Sequence, residues 1–96
     1  MVSEIPITPA CFIPQTIFAI NNQAILMGVL QKGELILSAT TSINGKTYKL
    51  IDIQLLNKHV KSVKLENEKT QTIGIILSNM SIEDAQKTIN QELIFK

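Results

Sequence analysis

Asn44-Gly45 is the tightest local constraint in this chain. Both residues tolerate positive φ, which a two-residue type I′ hairpin turn requires at its two central positions. The run before it alternates. Leu35, Leu37, Ala39, Thr41 and Ile43 fall on one face, and Ser38, Thr40 and Ser42 on the other. A period of two marks a half-buried strand. On the return strand from Lys46, Tyr48 and Leu50 keep one phase while Ile51, Ile53 and Leu55 keep the other. A change of phase inside a strand implies an extra residue, and barrel corners use such bulges to bend.

The rest of the chain punctuates in the same way. Pro6, Pro9 and Pro14 mark residues 1–15 as an extended segment, an edge strand at best, because proline cannot donate to a sheet ladder. Thr16 to Ile20 reads as a short strand, Asn21-Asn22-Gln23 as a turn, and Ala24 to Leu30 as an apolar run of strand length. Gly33 is placed to take the left-handed position of a tight hairpin after Gln31-Lys32. Asn57 to Lys69 is polar and lysine-rich, read as loop with a short extended piece, before a strand at Thr72 to Leu77. Ser81-Ile82-Glu83-Asp84 resembles a capping box, and a short helix from Ser81 to Thr88 would bury Ile82, Ala85 and Ile89. Leu93 to Phe95 closes the chain as a last strand.

About six short strands with hairpin turns and one helical turn imply an all-β domain: a small closed, six-stranded, Greek-key-like barrel. At 96 residues, the chain has room for one such core. That core must be aliphatic, since aromatics make up only 4% of the residues. Phe12, Phe18 and Phe95 are expected inside it, and Tyr48 falls on an apolar strand face. Cys11 excludes an internal disulfide because it has no second cysteine to meet. The start lacks a basic leader pattern and the longest apolar run is far shorter than a bilayer, so a cytoplasmic chain with no membrane partner is expected.

From Phe18 to Phe95 these motifs, taken together, resemble domain 2 of translational GTPases such as elongation factor Tu. The resemblance is carried by Gly28-Val29-Leu30-Gln31-Lys32-Gly33-Glu34-Leu35, then Leu50 and Ile53, Val60 and Val63, Ile73-Gly74-Ile75-Ile76-Leu77, Ile82-Glu83-Asp84, and Glu92-Leu93-Ile94. It implies a six-stranded barrel with a translation-related binding role. The chain departs from the family pattern in three places. The family's third glycine is absent near Ser38–Ala39, Glu66 to Gln71 is a longer loop, and Asn90 stands where a glycine precedes the final strand. No RNA-contacting residue carries over from the resemblance.

The chemistry-bearing residues are few. Gly28 and Gly33 have phosphate-loop spacing, but Glu34 and Leu35 follow where lysine and Ser/Thr would bind phosphate and Mg²⁺, so no nucleotide is expected. Cys11 sits in an apolar Ala-Cys-Phe-Ile context and His59, the lone histidine, lies among lysines. They are read as a packing residue and a solvated loop residue, not as a nucleophile–base pair. One cysteine and one histidine make no metal site. Asp52 is read as solvent-facing at the strand bend, and Glu83 with Asp84 as favourable charge at a helix start. The chain is therefore read as a non-enzymatic binding module without cofactor or metal.

Two partner classes follow. Lys46, Lys49, Lys58, Lys61 and Lys64 form a basic stretch opposed only by Asp52, the candidate surface for an RNA or ribosome partner. Arginine is absent and the net charge is +1, which argues against base-specific readout and against a strong nucleic-acid field. The alternative is a protein-interaction or assembly module with no nucleic-acid role.

Overall fold

The computed structural model describes residues 9–55, 58–64 and 72–96. Among the described residues, nine strands and one short helix follow one another: β1 (Ala10–Ile20), β2 (Gln23–Lys32), β3 (Glu34–Ile36), β4 (Thr40–Ile43), β5 (Lys46–Leu55), β6 (Lys58–Val60), β7 (Ser62–Lys64), β8 (Thr72–Leu77), α1 (Ile82–Gln86) and β9 (Leu93–Phe95). Six of the strands form an antiparallel barrel in the order β4-β5-β8-β2-β1-β9. The ring is drawn together where Thr40 and Lys96 exchange backbone hydrogen bonds of 3.1 and 2.9 Å, joining β4 to the end of β9. β6 pairs with the outer part of β5, and β3 with β7 forms a separate two-stranded ribbon.

Local chemistry explains the turns. Asn21 and Asn22 have φ of 52° and 62°, and Asn44 and Gly45 have 51° and 82°, so both two-residue hairpins take the positive-φ geometry that matches strand twist. The phase change in β5 is a bulge. Leu50 pairs with Leu77 and Asp52 with Ile76, leaving Ile51 as the extra residue, half exposed. Tyr48 and Leu50 before it and Ile53 after it all reach the core, which the bulge alone makes possible. Phe12, Leu26, Leu50, Ile53, Ile75 and Phe95 are almost wholly buried and form the centre of one continuous cluster. The ribbon adds Leu35 and Val63 to it.

Ser81 caps α1 by accepting from the Asp84 N–H at 3.0 Å, as the capping motif implies. The helix packs against β1 and β2 with Ala85 inward. Its inner face departs from the expected one: Thr88 is buried, donating its hydroxyl to the Ala85 carbonyl at 2.6 Å, and Ile89 is exposed. The helical turns end within one revolution of Gln86, so the i+7 position no longer falls on the helix face.

Tertiary pairing overrides the local reading in four further places. Gly33 does have φ of 80°, but β2 and β3 are not a hairpin: β2 pairs with β1 and β8, β3 with β7. Gly33 is a corner pressed on β1, where a Cβ would lie 2.5 Å from the Pro9 carbonyl oxygen. The expected strand Leu35 to Ile43 is split into β3 and β4 by a turn with Ser38 at φ 77°, because its two halves serve different sheets. The inward–outward alternation survives the break: Leu35 and Thr41 are buried, while Ile36, Ser38, Thr40 and Ser42 are exposed. The segment 10–15 is not a mere extended lead. It belongs to β1, where Ala10 pairs with β9 and Cys11 and Phe12 lie between β2 and β9. Pro14 is accommodated beside a register shift, where its missing N–H interrupts no regular ladder. Phe18 is 52% exposed, not a core residue, because β1 continues past the partners that would cover it. The loop expected at Glu66 to Gln71 lies outside the described residues.

Among the described residues, no helix is long and apolar enough to cross a membrane.

Gly28 tests the barrel's tightest crossing. A Cβ there would lie 2.0 Å from the Ile13 carbonyl oxygen, whereas at Gly45 it would meet nothing within 4 Å. Gly28→Ala should therefore lower stability by about 2–3 kcal/mol through overpacking against backbone. Gly45→Ala should lose about 1–2 kcal/mol, from its left-handed φ alone. Urea unfolding of the two variants, fitted to one common slope, gives the comparison.

Candidate interaction surfaces

All five lysines of the basic stretch are exposed, but the fold divides them. Lys46 opens β5 beside the Asn44-Gly45 turn, and Lys49 follows on the same strand, its N–H donated to the Ser78 hydroxyl at 2.9 Å. Lys58 lies opposite Leu55 at the far end of β5. Nine strand steps separate Lys46 from Leu55, a span of about 30 Å. Lys61 stands between β6 and β7, where its carbonyl accepts from the Leu37 N–H at 2.9 Å. Lys64 is directly opposite Glu34 in the β3–β7 ribbon, so its charge is partly offset. The stretch is thus two groups: Lys46 with Lys49 near one hairpin, and Lys58, Lys61 and Lys64 along β6–β7.

His59 is not a loop residue. It lies on β6, opposite Gln54. Its Nδ1 sits 2.8 and 3.0 Å from the two Asp52 carboxylate oxygens, and the Gln54 side-chain amide donates to the same carboxylate at 3.3 Å. Asp52 is accordingly half-buried and partnered, not simply solvent-facing. The bulge at Ile51 and the β5–β6 register together bring the two side chains into reach. Sequence periodicity carries no sign of this pairing, because it depends on which residue the bulge inserts. The pair holds the imidazole with Nε2 turned away from the carboxylate. Among the described residues, His59 has no hydrogen bond to a hydroxyl or thiol, the contact a general base needs with its nucleophile.

Cys11 is buried on β1, between β2 and β9, while His59 pairs with β5. Burial pushes its thiol above the usual value of 9.0, Glu92 pushes it further the same way, and Lys32 opposes both. That is the environment of an inert packing thiol. No group of three or more His, Cys, Asp or Glu residues able to hold a metal ion occurs among the described residues.

The remaining exposed feature is apolar and was missed by treating Phe18 as core. Phe18 and Ile20, two residues apart on β1, are 52% and 55% exposed on one face of the β1–β2 hairpin. Their cross-strand partners, Ile25 and Gln23, carry no charge. Among the described residues, the other exposed large apolar residues each lie within two residues of a charged one: Ile36 near Glu34, Ile51 beside Asp52, Ile89 near Lys87, and Ile94 between Glu92 and Lys96. Phe18 and Ile20 have none nearer in sequence than Glu4 and Lys32.

No family model and no curated protein matches this chain.

The burial of Cys11 fixes an expected outcome. With its folded pKa raised, the folded state holds the thiol proton that the unfolded state releases, so stability falls as pH rises past about 9 and is unaffected by this group below that. At neutral pH, iodoacetamide should label Cys11 much more slowly in the native protein than in urea, as followed by intact mass. Equal rates would mean that β1 opens freely at this point.

Proposed function

We propose that this chain is a non-catalytic protein-interaction module that docks its partner on the outer face of the β1–β2 hairpin, around Phe18 and Ile20. The carrying observation is that these two exposed side chains lie two residues apart on one face, with no charged residue opposite them on β2 or near them in sequence, whereas every other exposed large apolar residue among the described residues has a charged residue within two positions. Contact centres are poor in charge and rich in aromatic residues, and solvated faces are not. A reducing, cytoplasmic setting belongs to this reading, with Cys11 as a free buried thiol.

The test is a photo-crosslinking phenylalanine analogue placed at Phe18 and, separately, at Thr47 on the exposed start of β5. Discrete protein adducts from position 18, absent from position 47 and lost on Ile20→Lys, are expected. Equal adducts from both positions, or none from position 18, would overturn the reading.

A second reading has its own observation. Lys58, Lys61 and Lys64 are exposed in succession along β6–β7, and the six-stranded barrel is the fold that the resemblance to translation-factor domain 2 implies. On this reading the barrel is an RNA- or ribosome-associated accessory module. Lysines act as point charges, so binding would be weak, nonspecific and steep in salt. Replacing the three by glutamine should lower the logarithmic salt slope for structured RNA by about 0.7–0.9 per lost phosphate contact. An unchanged slope in the triple variant would make these lysines a solvated face, and no RNA binding at low salt would end the reading.

A further inference from the structure

We infer that the partner docking on β1 is a second copy of this chain, paired antiparallel to it along the free edge of β1 about a two-fold axis at Phe18. The inference rests on the protein-interaction reading and names the occupant of that surface.

Three observations lead to it. The first is an open edge. β1 pairs with β2 along its length, but with β9 only at Ala10, Cys11 and Phe12. Beyond Pro14, whose carbonyl accepts from the Asn90 N–H at 2.8 Å, no strand among the described residues lies on the other side. Gln15, Thr16, Phe18, Ala19 and Ile20 are all exposed. Among the described residues, the hairpin tip also has no strand beside it on the β2 side, since β2 meets β8 only from Leu26 to Val29. A two-stranded ribbon alone is marginal in water, and a third strand stabilises it.

The second is charge. Folded proteins protect open edges with lysine, proline, bulges or short strands. Here Gln15–Ile20 carries none of the first two, and the chain has no charged residue anywhere between Glu4 and Lys32. Such an edge has nothing to recognise a charged partner with, and nothing to repel its own copy. The net charge of +1 adds no appreciable repulsion between two chains.

The third is geometry. In a two-residue hairpin the closing pair, here Ile20 and Gln23, exchanges backbone hydrogen bonds, and alternate residues back along the strand do the same. The N–H and C=O groups of Ile20 and Phe18 therefore serve β2, and those of Ile17 and Ala19 point to the open edge. Two copies related by a two-fold axis at Phe18 set Ile17 opposite the partner's Ala19, and the reverse. That arrangement satisfies all four outward donors and acceptors of each strand. It also sets the two Phe18 rings directly across from one another, the aromatic pairing that stabilises adjacent strands. The interface is self-complementary, as a two-fold contact requires.

Sedimentation equilibrium of the whole chain over a concentration series tests this. The expected result is a monomer–dimer equilibrium, with the dimer at twice 10.7 kDa. Amide exchange at Ile17 and Ala19 should slow as concentration rises, while exchange at exposed Thr47 stays constant. Ala19→Pro removes an outward N–H without touching the β1–β2 ladder, and Phe18→Lys sets like charges face to face. Each should raise the dimer dissociation constant by roughly tenfold or more with circular dichroism unchanged. A wild-type monomer at every concentration overturns the inference, as does a dimer that both folded variants leave intact. If the wild type is monomeric while crosslinking at Phe18 traps a different protein, the second copy is wrong and the protein-interaction reading stands. If it traps nothing, both fail.

Discussion

The hydrogen-bonded exchange between Thr40 and Lys96 is the contact on which the rest of the fold depends. It ties the end of β9 to β4, and on its other side β9 pairs with the first three residues of β1. Without it, β4 and β9 would be the two free edges of an open sheet. The strands β2, β5 and β8 would then lose the curvature that turns Leu26, Ile53 and Ile75 onto a common centre. The pair joins sequence positions 40 and 96, so the barrel forms only once distant segments have met, which makes slow, non-local folding the expected kinetic character.

Closure demands bends, and the chain supplies them where side chains least obstruct. The bulge at Ile51 lets β5 serve the core on both sides of a phase change. Gly28 and Gly33 let two backbone segments approach β1 too closely for any Cβ. Ser38 and Asn90 take left-handed φ without being glycine, a local cost that the surrounding strand pairing holds in place. The surface inherits these bends. The bulge brings Asp52 to His59, and the corner between β3 and β4 releases the β3–β7 ribbon that carries Lys64 opposite Glu34.

The candidate surfaces differ in how they arise. The lysines are a sequence cluster that the barrel disperses along β5 and β6–β7. Phe18 and Ile20 are two inconspicuous apolar residues that the barrel leaves uncovered, because β1 outruns the strand beside it. On the protein-interaction reading proposed above, the face around Phe18 and Ile20 is the docking surface, and a net charge of only +1 weakens the electrostatic case for a polyanion.

What the sequence determined by itself was local. The two asparagine-led turns, the alternation from Leu35 to Ile43, the phase change in β5, the Ser81 cap and the terminal strand are all set by φ preference, side-chain period and short-range hydrogen bonding, which act within a few residues. From them the six-stranded barrel was legible. Pairing was decided only by the tertiary structure. It made Gly33 a corner and not a hairpin, split β3 from β4, drew Cys11 and Phe12 into a strand flanked on both sides, exposed Phe18, and put Asp52 on His59. Each of these depends on which strand lies alongside, and strand neighbours are chosen by the closure of the whole barrel, at sequence separations where no local period carries information.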